Sequence, residues 1–179
     1  MHNKSEQWST PMPRTALLAA AVVAGLAAGA FGIAAASAHP NEAQSARPLT
    51  SNEVYQIYAN RSWIWKEGAG FFAVKKREFS AWSREGGAPS YGIGRWFITS
   101  PGKLCFRAEW RAMDGSAPAV TCFSHREKDG VIYQKREPDG EWYAFRQMPA
   151  RMSDEYAKLR HGDYVVTRVR RIEARLGNR

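Results

Sequence analysis

Residues 103–125 read KLCFRAEWRAMDGSAPAVTCFSH, two alternating runs on either side of one turn. Leu104, Phe106, Ala108 and Trp110 alternate with Cys105, Arg107, Glu109 and Arg111, the period-two pattern of a strand with one apolar face. A turn centred on Met113-Asp114 sends the chain back as a hairpin. In that register Cys105 faces Cys122, Leu104 faces Phe123 and Phe106 faces Thr121. Directly opposed cysteines can reach bridging distance, and closing the loop between them would stabilise the fold by about 3 kcal/mol. The rival readings are two buried free thiols or a zinc site. Zinc needs further ligands, and His125 alone is close in sequence.

Outward from this hairpin the same punctuation repeats. Trp63-Ile64-Trp65 stops at Glu67-Gly68, Gly70–Val74 stops at Lys75-Lys76, and Arg77–Ser83 stops at a Gly86-Gly87-Ala88-Pro89 loop. Gly94–Thr99 leads into Ser100-Pro101-Gly102-Lys103, where Pro-Gly suits a type II turn. Val131–Arg136 and Glu141–Arg146 flank Pro138-Asp139-Gly140, a strong hairpin signal. About eight strands joined by tight turns predict an antiparallel meander. Closed into a small lipocalin-like barrel, or rolled into a curved sheet, it would shorten its exposed edges. An interior of that size is filled by side chains or holds one small ligand.

Helices flank the sheet in this reading. Thr50 and Glu53 form a capping box with Leu49 and Val54 as staple, and Val54, Ile57 and Tyr58 make the inward face of an N-terminal helix. Ser153 is an N-cap for a helix to Arg160, ended by Gly162. Asp163–Arg179 fits a strand (Val165, Thr167, Val169) or a helix (Val169, Ile172, Leu176). Its arginines at 168, 170, 171, 175 and 179 read as a solvated basic end or an anion site.

Thr15–Ala35 carries no charge, follows Lys4 and Arg14, and ends in Ala36-Ser37-Ala38. That is the layout of a cleaved secretory signal, although the run is also long enough to anchor the chain in a bilayer. The domains expected are a signal at 1–38, a polar linker at 39–48, a β-rich domain at 49–166 and a basic tail at 167–179. The chain is then periplasmic or secreted, touching membrane only if the signal stays attached. Of the net charge of +9, nearly all lies beyond the signal. It points to an anionic or amphipathic envelope component, whether polysaccharide, lipid or acidic protein, and location argues against nucleic acid.

No nucleophile elbow, zinc-protease, Walker or dinucleotide fingerprint is present, and no cofactor is implied. His125 ends a predicted strand and is expected half-exposed; His161 is placed at a helix C-terminus. If cleavage follows Ala38, His39 becomes an N-terminal residue able to chelate copper, but a flexible end cannot preorganise a metal site. Trp63, Trp65, Trp82, Trp96, Trp110 and Trp142 all fall on predicted strands, where they fill a core or stack on a ligand. The candidate ligand-binding set is Trp96, Trp110, Trp142, Tyr133, Arg107, His125 and Arg126, with further charge from Lys128, Lys135, Arg136 and Arg146.

Several blocks resemble the exported bacterial proteins grouped as domain of unknown function family 995, found largely in rhizobia and related alphaproteobacteria. They are Leu49-Thr50…Glu53-Val54-Tyr55, Trp63-x-Trp65…Gly68-x-Gly70-Phe71-Phe72, Gly94-Arg95-Trp96, Leu104-Cys105, Trp110, Cys122-Phe123-x-His125-Arg126, Ile132-Tyr133-Gln134 and Pro138-Asp139-Gly140-Glu141-Trp142-Tyr143. The resemblance spans Leu49 to Val166, implies a Gram-negative envelope location and brings no catalytic residues. Two functions follow as expectations: a periplasmic binding or envelope-accessory protein, or a small envelope-polymer hydrolase with His125 or a carboxylate such as Glu109 as base.

Overall fold

The computed structural model describes residues 40–177; the expected signal at 1–38 and His39 lie outside them. A short helix α1 (Pro40–Ser45) and a two-residue strand β1 (Arg47–Pro48) precede helix α2 (Ser51–Tyr58). The strands that follow are β2 (Arg61–Trp65), β3 (Gly68–Phe72), β4 (Glu78–Ser83), β5 (Ser90–Thr99), β6 (Lys103–Ala112), β7 (Gly115–Lys128), β8 (Val131–Arg136) and β9 (Tyr143–Arg146). A 3-10 turn (Glu155–Lys158), strand β10 (Leu159–His161) and helix α3 (Val166–Gly177) complete the chain.

The strands from β2 to β9 pair in sequence order, each antiparallel to the next, as the hairpin punctuation requires. β10 returns to pair with β2, so the chain's last strand lies beside the first of the meander. The result is a curled half-barrel. Cys105 faces Cys122 in the β6–β7 ladder, with Leu104 against Phe123 and Phe106 against Thr121, the expected register. The two cysteines are bridged, which removes the free-thiol and zinc readings.

No ladder joins β9 to β10 among the described residues, so the sheet stays open along that seam rather than closing as a barrel. The 3-10 turn fills the gap. Tyr156 meets Phe145 edge-on at 5.7 Å between ring centroids, and Glu155 accepts from Trp63 Nε1 at 2.8 Å. The buried Asp154 carboxylate accepts the backbone N–H groups of Gln147 and Arg151 at 3.0 and 2.8 Å. Those bonds fix the path, so Ser153–Arg160 forms a 3-10 turn and the start of β10 instead of the expected helix.

Each face of the sheet has its own cover. The concave face carries the main core: Trp63, Phe72, Phe79, Trp96, Leu104, Ala108 and Phe145, with α2 inserted through Val54, Ile57 and Tyr58. Thr50 and Glu53 form the capping box that starts α2, and Arg47 adds a bidentate clamp on Glu53 at 2.8 and 3.1 Å. On the convex face α3 seals Ala69 and Tyr91 with Val165, Val169 and Ile172. The helical reading of 166–177 therefore wins over the strand, and the basic tail is a docked helix.

The expected linker at 39–48 is also docked where it is described. Arg126 donates to the carbonyls of Ala43 and Gln44 at 3.0 and 2.8 Å, Tyr133 donates to Glu42 at 3.0 Å, and β1 pairs with β7. Two smaller expectations change. Trp142 lies in the loop before β9, and His161 ends β10 rather than a helix.

Glycines let the rings lie on the concave floor. A Cβ on Gly92 would come within 2.9 Å of the Trp110 indole, one on Gly70 within 2.9 Å of Phe79, and one on Gly68 within 2.5 Å of Trp65. On Gly94 it would sit 1.9 Å from the Arg107 carbonyl oxygen, inside the β5–β6 ladder. Gly94→Ala should therefore cost about 3 kcal/mol, the upper end for overpacking, because backbone cannot yield as a side chain does. Gly86→Ala meets nothing within 4 Å and should cost only about 1 kcal/mol for its φ of +80°. Urea denaturation of the two variants checks the contrast. Replacing both cysteines by serine should lower stability by about 3 kcal/mol in the same assay.

Candidate functional site

The concave face divides into two ends. At one end α2 packs against Trp96, Leu104 and Phe72, and the space is filled. At the other the sheet stays uncovered and forms an open groove of about 330 Å³. Trp63, Trp65, Phe72, Phe79, Phe106, Trp110 and Phe123 line it, with Ser83, Glu85, Thr121 and Arg136 as its polar members.

Ladder registry explains why so many rings meet there. Trp63 faces Gly70, Trp65 faces Gly68, and Gly92 faces Trp110 across neighbouring strands. Each glycine leaves room for a ring to lie across the sheet, and the rings then touch one another. Phe79 stacks on Phe106 at 4.3 Å between centroids, Phe72 leans on Phe79 at 5.2 Å, and Trp63 meets Phe123 edge-on at 5.0 Å. Such pairs contribute about 0.5–1.5 kcal/mol each beyond the area they bury. Trp65 Nε1 is a buried donor with no acceptor among the described residues. Arg136 stands exposed at the rim without a carboxylate partner there, and Glu85 occupies the opposite edge.

The filled end holds a polar cluster that locks α2 to the sheet. His125 Nδ1 lies 3.1 Å from the Gly102 carbonyl; a carbonyl only accepts, so Nδ1 carries the proton and Nε2 is an acceptor. Tyr58 reaches Nε2 at 2.8 Å, Gln134 donates to the Tyr58 hydroxyl at 2.6 Å, and Tyr143 donates to Gln134 Oε1. Burial favours the neutral forms throughout. It pushes the His125 pKa down to about 4, and drives the Tyr58 and Tyr143 hydroxyls well above the usual phenol range. Gly102 has φ +56°, and a Cβ there would come within 2.7 Å of the His125 carbonyl. Only glycine fits.

Of the seven candidate ligand-binding residues, Trp110 alone lines the groove, joined by Arg136 from the wider charge set. Trp96 is 1% exposed, its indole N–H bonded to the Ala73 carbonyl at 2.7 Å and its ring stacked on Tyr55. His125 was expected half-exposed and is 1% exposed, because α2 and β8 close over it. Both of its ring nitrogens are engaged within the core, away from the groove. Tyr133 is buried under α1, and Arg107 lies exposed on the convex face opposite Arg95 and Val120. Arg126 stacks on Trp142 at 4.9 Å, and with His125 these two candidates border a convex pocket of about 200 Å³ together with Lys103, Lys135 and Glu137. His39 lies outside the described residues.

Trp63 and Trp65 belong to the strand tryptophans expected to fill a core or stack on a ligand, whereas the groove's phenylalanines, Phe72, Phe79, Phe106 and Phe123, are not among the candidates. Their signal was present in part: Phe106 and Trp110 share a face with Leu104, and Gly68-x-Gly70 and Gly92-x-Gly94 put paired gaps on one face of β3 and β5. What linear order hid was that rings from other strands fill those gaps.

A curled antiparallel sheet with a ring-lined groove is the class this geometry defines. A family model described as a protein of unknown function, DUF995, matches residues 23–165, and the chain belongs to that family. Comparison with curated proteins and with solved structures gave no match. No helix among the described residues is long and apolar enough to cross a membrane.

The buried imidazole makes stability pH-dependent with a defined sign. Unfolded, His125 takes a proton near pH 6.5; folded, only near 4. Its contribution is therefore intact above pH 6.5 and lost as pH falls toward 4, by about 3 kcal/mol in total. Thermal melts between pH 7 and 4.5 should show this fall, and His125→Asn, less stable at pH 7, should show a shallower one.

Proposed function

We propose that this is an exported, periplasmic binding protein whose concave groove takes the apolar body of an anionic amphiphile of the cell envelope. The observation that carries the reading is the groove itself, seven aromatic rings around an open space at one end of the sheet. Trp63, Phe72 and Phe79 are buried and form its floor, whereas Trp65, Phe106, Trp110 and Phe123 stay partly exposed, unlike the covered rings of the α2 end. These four rings offer a wall against which acyl chains or flat ring systems shed their unfavourable hydration. Arg136 at the rim supplies a cation where an anionic head would emerge, and Glu85 opposite discourages a second anion.

Support for the compartment is of a different kind. The apolar run and Ala36-Ser37-Ala38 have the form of an export signal, and the Cys105–Cys122 bridge suits an oxidising compartment. A net charge of +9 would draw the protein toward anionic surfaces.

Titrating laurate while following tryptophan fluorescence tests the binding reading. Saturable binding is expected, weakened about tenfold by Trp110→Ala, which is about 1.4 kcal/mol. Arg136→Gln should weaken laurate while leaving dodecanol unchanged, and Trp142→Ala on the convex side should alter neither. Loss of laurate binding in Trp142→Ala with none in Trp110→Ala would overturn the assignment. Osmotic-shock fractionation with N-terminal sequencing checks the compartment: a processed chain beginning at His39 is expected in the periplasmic fraction, and an intact chain in the cytosol contradicts export.

A further inference from the structure

On the convex side, the opposite face of the sheet from the groove, α3 crosses β4 and leaves a cleft of about 210 Å³ beside the β4–β5 loop. Arg168, Arg171 and Arg175 line it from α3 and Arg84 from the loop. The first three fall on neighbouring turns of one helix face, with the intervening Ile172 buried against the sheet. None of the four pairs with a carboxylate among the described residues. Glu173, the one acid on α3, is turned away and meets the Tyr91 hydroxyl at 3.5 Å. Like charges spaced three and four apart on a helix repel, so an uncompensated set of this kind is destabilising by itself.

Two features make the cleft more than a charged surface. The Arg168 guanidinium is stacked 4.8 Å above the Trp82 ring, which holds its fork in a fixed plane. Across from it Gly87 has φ +88° and nothing within 4 Å of the place a Cβ would occupy, so the loop side stays clear. We infer that this cleft is a second, independent binding site, for a phosphoryl group held by Arg84, Arg168, Arg171 and Arg175. A carboxylate offers two oxygens and saturates one guanidinium fork. A phosphate monoester brings close to two negative charges and three terminal oxygens, enough to engage several forks at once. The group can come from a soluble phosphate or from a phospholipid head.

Isothermal titration of the purified full chain with inorganic phosphate at low salt tests the site. One saturable site per chain is expected, with acetate at the same concentration giving none. The double variant R168Q/R171Q should weaken phosphate at least tenfold, and so should R84Q, which leaves the helix untouched. The charge-matched control R95Q/R107Q on the uncovered part of the same face should bind as the parent does. Equal loss in the control, unchanged binding in both site variants, or acetate binding as well as phosphate would each overturn the assignment. Flotation with phosphatidic acid vesicles then separates the sources. Vesicle capture that R168Q/R171Q abolishes supports the site with a lipid head as ligand; phosphate binding without vesicle capture supports it with a soluble one.

Discussion

The pairing of glycine with aromatic side chains across the ladder is the constraint on which the rest of this structure depends. Gly68, Gly70 and Gly92 give up side-chain volume where Trp65, Phe79 and Trp110 lie across the sheet, and Gly94 lets β5 and β6 approach closely. Glycine in a strand is normally a weakness. Here a neighbouring ring occupies the missing volume, and freeing one face of β3 and β5 lets the sheet curl toward it. The curl brings the groove's rings together from five strands, β2, β3, β4, β6 and β7, on one side of the sheet.

What decides how far that side is covered is the single helix inserted from one end. Tyr58 on α2 enters a cluster with His125, Gln134 and Tyr143 in which every hydrogen bond is internal. A satisfied buried network of this kind specifies one docking position far more sharply than apolar contact would. It also stops α2 from sliding along the trough. The far end therefore keeps Trp65, Phe106, Trp110 and Phe123 partly in contact with solvent, and that leftover exposure is the basis of the proposed function. Charge follows the same division of faces: Arg136 stands at the groove, whereas the arginines of α3 gather behind the sheet.

Much of the sheet was legible because its causes are local. Alternation from Leu104 to Arg111 and the Met113-Asp114 turn sufficed to place Cys105 against Cys122, and the capping box at Thr50–Glu53 marked α2 unaided. The losses fall where distant groups decide. His125 stands beside Arg126 and reads as a strand-end residue, yet Tyr58, 67 positions earlier, covers it. Asp154 captures two backbone N–H groups and turns a helix-like sequence into a 3-10 turn and a strand. Residues 40–48 lack periodicity because side chains of β7 and β8, not their own pattern, hold them. The site was half legible for the same reason: Trp110 could be found from its own strand, but the glycine opposite it and the rings beside it are known only once strands are neighbours.

Nuclear Overhauser contacts between protonated laurate and the otherwise deuterated, ring-protonated chain decide whether the groove holds the acyl chain. At saturating ligand, contacts are expected from the acyl methylenes to the rings of Trp110, Phe106 and Phe123, and none to Trp142. Contacts confined to the convex face, or an acyl chain that meets none of these three rings while bound, would contradict it.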